Sequence, residues 1–171
     1  TGIALHLPTA VGQVPKLLTV DHGSVPPVAE SVLKSLRAED DFVFVTARIR
    51  WNATKGQVLP LLQSPGVLTQ AQFSNQVGRL VRVAGTGHAL LAETNGLVEL
   101  LMEYQVPVST RAGERGIALP ARPGLINHAT LTLIGQDAEV NAPAAASVSR
   151  RGDSPTNQVV FEMALSAVEN P

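Results

Sequence analysis

The sequence predicts an all-β fold, an antiparallel β-sandwich, because three segments alternate apolar and polar residues with a period of two. These segments are Phe42–Trp51, Leu97–Val108 and Gln158–Val168. Successive side chains of a strand point to opposite faces of its sheet, so each segment is expected to bury one face in a core. Trp51 and Tyr104 fall on the apolar faces and are predicted to be buried. Gly and Pro turns between short strands are typical of sandwiches and barrels.

One segment departs from this pattern and predicts a short amphipathic helix. It follows Pro26-Pro27, and a proline pair is compatible with a helix start. Val28, Val32, Leu33 and Leu36 would share one face of that helix. The sequence therefore predicts a mainly β protein with a single helix before its first long strand.

The remaining turns and strands follow from local patterns. Arg79–Ala84 and His88–Glu93 are predicted to form a hairpin, and Ala129–Ile134 a short strand. Ser109–Gly124 is loop-like, and the Ala-, Ser- and Pro-rich stretch Asn141–Pro155 is predicted to be an exposed loop.

Length and composition support one β domain over residues 1–171, with 1–25 as an extended arm and 109–171 as either an extension or a second β subdomain. Charged residues make up 16% of the chain, against about 25% in typical domains. Either a partner subunit covers part of the surface, or uncharged polar side chains supply it. Because the chain begins at Thr1, we expect a processed product or a piece of a longer polypeptide.

Composition also excludes several function classes. The net charge of −1 gives no general attraction to nucleic acid, so any nucleic-acid contact would be indirect. No cysteine is present, which excludes thiol chemistry and Cys-based metal sites. No apolar run approaches the roughly 20 residues of a membrane span, so no membrane partner is expected.

Catalytic, cofactor and metal sites are not predicted. The four histidines (His6, His22, His88 and His128) are scattered, with no pair at metal-ligand spacing. Asp21, His22 and Ser24 are the residue types of a hydrolase triad, but neighbours in one loop seldom converge as a triad must. Glu99 and Glu103 would lie about 13 Å apart on one strand, too far for a glycosidase pair. The sequence therefore predicts a protein that is not an enzyme.

Two short motifs suit an exposed or secreted protein. Arg151, Gly152 and Asp153 form the tripeptide that adhesion ligands present to integrin-type receptors, in a stretch predicted to be a loop. The same tripeptide also fits an ordinary turn, where Gly and Asp are common. Asn52-Ala53-Thr54 fits the N-glycosylation pattern, which has meaning only in a secretory pathway.

A candidate interface comes from the second faces of two predicted strands. Glu99 and Glu103 share a face with Leu97 and Leu101, and Arg48 and Arg50 share a face with Phe42 and Phe44. Exposed faces of a solitary domain normally carry more charge and smaller apolar patches. The residues predicted to contact another copy or subunit are Arg48, Arg50, Glu99, Leu101 and Glu103.

Two stretches resemble small icosahedral RNA-virus coat proteins of the jelly-roll type. Pro26–Leu62 has the order Pro-Pro, amphipathic helix, then a strand ending Ala47-Arg48-Ile49-Arg50-Trp51 and a turn before Gly56-Gln57-Val58. Gly96–Thr110, GLVELLMEYQVPVST, is similar to the last strand of those jelly rolls. The resemblance implies a jelly-roll-like sandwich located in a virion, with capsid subunits as partners.

The function expected from the sequence is therefore a self-assembling viral capsid subunit that acts through subunit packing. The alternative is a secreted adhesion or carbohydrate-binding module that presents the Arg-Gly-Asp segment. A homo-oligomer is expected under the first interpretation, and an integrin-type receptor under the second.

Overall fold

The structure is a computed structural model in which twelve strands form three sheets. It describes residues 27–85, 87–111, 113–119, 124–135, 139–143, 145–154 and 158–165. The strands are β1 (Ser31–Glu39), β2 (Phe42–Ala53), β3 (Val58–Leu62), β4 (Val67–Phe73), β5 (Gly78–Val83), β6 (Gly87–Ala92), β7 (Gly96–Pro107), β8 (Ser109–Arg111), β9 (Glu114–Gly116), β10 (Ile126–Ile134), β11 (Ala145–Ser154) and β12 (Gln158–Leu165). The predicted extended arm at 1–25 lies outside the described residues.

A seven-stranded sheet forms the larger layer, with the order β11-β12-β10-β1-β2-β7-β4. Its pairings are antiparallel except between β1 and β10, which run parallel. A three-stranded sheet, β3-β6-β5, forms the second layer, and β8 and β9 make a small separate hairpin. The all-β sandwich prediction is confirmed, and the predicted hairpin at Gly85-Thr86-Gly87 corresponds to the antiparallel pair β5–β6.

One hydrophobic core joins the two layers. Leu59, Leu61 and Leu90 from the small sheet belong to the same buried cluster as the inner faces of β1, β2 and β7. Trp51 and Tyr104 are 2% and 1% exposed, so both predictions of burial are confirmed. The period-two patterns of β2, β7 and β12 therefore identify true core strands.

The predicted amphipathic helix is wrong, because Ser31–Glu39 forms β1 in the middle of the large sheet. Its inner positions are Val32, Lys34, Leu36 and Ala38, whereas Leu33 points outward and is 47% exposed. A lysine on the buried face and a leucine on the exposed face hide the period of two. Pairing with β2 on one side and β10 on the other satisfies the backbone and overrides the local helical pattern. The described residues contain no helix, and therefore no helix that is long and apolar enough to cross a bilayer.

The C-terminal third contributes to the same large sheet. β10 lies beside β1, and β12 and β11 follow it outward to the sheet edge. The strand β7, which resembles the last strand of a jelly roll, is thus followed by three further strands of its own sheet. The predicted loop Asn141–Pro155 is wrong over most of its length, because Ala145–Ser154 forms β11 against β12.

A substitution at Gly87 tests the close approach of β6 to Leu62 and Gln63. Its φ is +88°, and a Cβ there would clash with the carbonyl oxygen of Leu62 and lie 3.1 Å from the Cα of Gln63. We expect Gly87→Ala to lower the free energy of unfolding by roughly 1–3 kcal/mol more than left-handed strain alone, as measured by urea denaturation. Gly56→Ala is the matched control, since Gly56 has a φ of +87° with nothing within 4 Å. Equal losses in the two variants would contradict this packing.

Candidate functional site

The outer face of the large sheet, on the side away from the core, brings together side chains from four neighbouring strands. Across its centre, Leu33 of β1 lies beside Arg48 of β2, which lies beside Leu101 of β7 and then Gln72 of β4. This surface, defined by the outward residues of β1, β2, β7 and β4, is called the outer face below. It is continuous because the register pairs outward residues with outward residues on every strand.

An open groove of about 520 Å³ follows the outer face near one end of these strands. Arg48, Arg50, Glu99 and Leu101 line it, with Leu33 on the β1 side. The floor is the backbone of β2 and β7, whose opposite side chains Ile49 and Leu100 are 5% and 2% exposed. The groove therefore has a base of paired, buried strands and charged side chains along its walls.

Charge on this surface is separated by strand. The basic side chains Arg48 and Arg50 lie on β2, and the acidic side chains Glu99 and Glu103 lie on β7. Arg50 is directly opposite Glu99 in the register, yet its ion pair is with Glu30, at 3.4 Å between Nε and Oε2. Within the described part of the chain, the side chains of Arg48, Glu99 and Glu103 have no ion pair or hydrogen bond.

Aromatic side chains continue the outer face toward the other end of β2. Phe42 and Phe44 are 44% and 37% exposed. The guanidinium of Arg37 lies 5.7 Å from the centre of the Phe44 ring and forms an ion pair with Glu39 at 3.0 Å. A cation over an aromatic face is a favourable contact that leaves both groups at the surface.

All the residues predicted to form an interface lie together on the outer face. The β2–β7 register places Arg48 opposite Leu101, Arg50 opposite Glu99, and Thr46 opposite Glu103. Two outward residues of this face were not predicted: Leu33 lies in the segment predicted to be a helix, and Gln72 lies in a strand without clear alternation. The outward position of Leu33 becomes recognisable only once β1 is known to be a strand.

The Arg-Gly-Asp segment lies in a strand, where a loop was predicted. Arg151, Gly152 and Asp153 belong to the edge strand β11 and not to a loop. Arg151 forms an exposed ion pair with Glu162 of β12, at 3.2 Å between Nη1 and Oε1. The prediction that the Arg-Gly-Asp tripeptide lies in a loop is therefore wrong, because Ala145–Ser154 forms a strand that pairs with β12.

The remaining sequence motifs fall on separate elements. Asn52 lies near the end of β2 and is exposed, in a strand where a turn was predicted. His88 belongs to β6 of the small sheet, where burial and then the charge of Arg82 lower its pKa. His128 lies on β10 of the large sheet. His6 and the candidates Asp21, His22 and Ser24 lie outside the described residues. Over the described ranges, no three His, Asp or Glu side chains come together as metal ligands.

Comparisons with known proteins find partly similar solved structures but identify no family for this chain. No protein-family model matches the chain. No curated protein matches it either. A crystal structure of an M1 zinc metallopeptidase from Deinococcus radiodurans is similar with a TM-score of 0.48 and 13% identity, over 81% of this chain and 39% of that one. Legionella pneumophila aminopeptidase A in complex with aspartic acid is similar with a TM-score of 0.48 and 12% identity, over 84% of this chain and 20% of that one.

These findings correct the function expected from the sequence. The predicted role as a viral capsid subunit is wrong, because both solved structures described above are of peptidases. The virion and jelly-roll predictions are wrong for the same reason, and the β-sandwich prediction is supported. The chain spans well under half the length of either enzyme, and at these identities no activity is transferred from them.

Proposed function

We propose that this chain is a non-catalytic β-sandwich module that docks onto a second copy of itself through the outer face. The observation that carries the proposal is the separation of charge between two adjacent strands, basic on β2 and acidic on β7. A surface with this arrangement is complementary to itself, which is the requirement for a two-fold interface.

The geometry of such a pair follows from the register. We take a two-fold axis that lies above the outer face, parallel to the strands and over the boundary between β2 and β7. This rotation places the partner subunit's β2 over β7 of the first copy, at the same height along the strands. Because Arg50 is opposite Glu99 within one chain, Arg50 then faces the partner's Glu99, and the symmetry forms this contact twice.

The neighbouring positions also match. Arg48 is opposite Leu101, so the aliphatic stem of Arg48 would cover the partner's Leu101. Thr46 is opposite Glu103, so the Thr46 hydroxyl would donate to a carboxylate oxygen of the partner's Glu103. Face-to-face sheets pack about 10 Å apart, which leaves room for these side chains to interdigitate.

Docking would also cover apolar area that is now in water. Leu33 of the neighbouring strand β1 is 47% exposed, and Phe44, further along β2 itself, is 37% exposed. Removal of this area from water supplies the attraction, and the charges select the orientation of the partner.

The test is a charge reversal with complementation, measured by sedimentation equilibrium. Arg50→Glu alone and Glu99→Arg alone should each weaken self-association at least tenfold, because each creates like-charge contacts in a homodimer. A mixture of the two variants should recover association, since each copy then meets the opposite charge. Lys55→Glu, on an exposed turn outside the outer face, is the matched control for a change of net charge.

A variant that replaces an apolar side chain of the outer face by a charged one gives an independent measurement. Leu101→Arg should abolish association at concentrations where the parent chain forms dimers, while its thermal midpoint stays close to that of the parent. A parent chain that sediments as a monomer at high concentration would contradict the proposal. So would a mixture of the reversed variants that stays monomeric.

A further inference from the structure

A second cavity lies on the opposite side of the large sheet and takes no part in the proposed docking. It has a volume of about 270 Å³ and lies between the inner face of the sheet and the β8–β9 hairpin. The apolar side chains that line it are Ala38, Val43, Val108, Ile117, Leu131, Leu133 and Val140. Ala38, Val108, Ile117 and Val140 are only partly buried, so the described residues leave part of the apolar lining accessible.

The β1–β2 turn and the hairpin hold this cavity open. Asp40 has a φ of +42°, the left-handed conformation that a tight two-residue turn requires. The backbone amide of Val108 donates to the carbonyl oxygen of Asp41 at 2.8 Å, and the guanidinium of Arg115 donates to the carbonyl oxygen of Asp40. These two contacts attach the hairpin above the end of the sheet, where the three-stranded layer contributes no lining residue.

The charged groups at the cavity have an acidic excess. Among the described lining residues the charged side chains are Asp40, Glu139 and Arg115. The guanidinium of Arg115 is already engaged with the Asp40 carbonyl oxygen, whereas the two carboxylates have no ion pair or hydrogen bond within the described ranges. An apolar cavity with a few polar groups at its rim is the usual form of a small-ligand site.

We propose that this cavity binds a small amphipathic amine, with its apolar body against Val43, Leu131 and Leu133 and its ammonium group at the carboxylates of Asp40 and Glu139. The volume is close to the lower end of ligand pockets, roughly 300 Å³, which limits the body to a short alkyl chain or one aromatic ring. An anionic head group would meet two carboxylates against the single guanidinium of Arg115, so the net negative charge of the described rim disfavours it. The inference does not depend on the docking proposal, because the cavity opens on the other side of the sheet.

Matched probes test the proposal directly on the whole chain. Hexylamine, hexanol and hexanoate share one apolar body and differ in charge, so binding can be compared by NMR shifts of the Val43, Leu131 and Leu133 methyl groups. We expect saturable shifts with hexylamine, weaker binding of hexanol, and hexanoate at least tenfold weaker than hexylamine. Equal binding of hexylamine and hexanoate, or no saturable shift with hexylamine, would overturn the proposal.

Two variants separate the charge at the rim from the apolar cavity. Glu139→Gln should weaken hexylamine severalfold and leave hexanol unchanged, because only the ammonium contact is removed. Ala38→Met should weaken both probes, since the longer side chain fills part of the cavity. Glu93→Gln, on an exposed carboxylate of the small-sheet side, is the control for loss of one negative charge. Loss of hexylamine affinity in Glu93→Gln equal to that in Glu139→Gln would contradict the assigned site.

Discussion

Trp51→Ala is expected to lower the free energy of unfolding by about 3–5 kcal/mol, because it removes the largest buried side chain and leaves a cavity. Trp51 lies on the inner face of β2, is 2% exposed, and is opposite Val98 of β7 in the register. Trp51 belongs to the buried cluster that contains residues of both sheets, and a close-packed core fills such a cavity only in part. Urea denaturation followed by circular dichroism measures the loss.

A control and a second readout make this result specific. Phe42→Ala removes an aromatic ring from the same strand, but from a position that is 44% exposed, and should cost less than about 1 kcal/mol. The chain has a single tryptophan, so its fluorescence reports on this position alone. Free quenching of that fluorescence by iodide, or a cost below about 1 kcal/mol for Trp51→Ala, would show that the core is misplaced.

Lys34→Met is expected to raise the free energy of unfolding by roughly 3 kcal/mol at pH 7. Lys34 lies on the inner face of β1 beside Ala47 and Ala129, is 4% exposed, and has no ion pair or hydrogen bond to any described residue. Burial lowers the pKa of its ammonium group from 10.5 to about 8. The difference corresponds to roughly 3 kcal/mol by which the folded state disfavours the charge, and Met avoids this cost with a side chain of similar shape.

The pH dependence of stability gives the same inference a separate test. Between pH 8 and 10.5 the unfolded chain retains a proton on Lys34 that the folded chain has lost, so the free energy of unfolding should rise with pH in that window. Burial raises the pKa of Tyr104, so the unfolded chain ionises first and stability should fall again above about pH 10.

The comparison between variants isolates the lysine. Lys34→Met should abolish the rise above pH 8 and keep the fall above about pH 10. Lys55→Met, at an exposed turn, should retain the full profile of the parent chain. A parent chain whose stability is flat from pH 7 to 9.5 would show that Lys34 reaches water in the folded state.

The candidate site was only partly predictable from the sequence. Arg48, Arg50, Glu99, Leu101 and Glu103 were identified because they lie on the polar faces of two strands with clear alternation. That these strands are neighbours, with each arginine opposite a glutamate or leucine, depends on the β2–β7 pairing. The cavity beneath the β8–β9 hairpin had no signal in the sequence, because its lining comes from six separate stretches of chain.

The β class and the buried faces of β2, β7 and β12 could be predicted from the residues alone, because alternation within one strand records which side meets the core. Trp51 and Tyr104 could be assigned to the core on that basis alone. Ser31–Glu39 could be recognised as a strand only from its pairing with β2 and β10, since its inner face carries Lys34 and its outer face Leu33, and that pairing outweighs the local pattern. The same holds for β11, whose Ala- and Ser-rich sequence becomes a strand because β12 offers it a free edge to pair with.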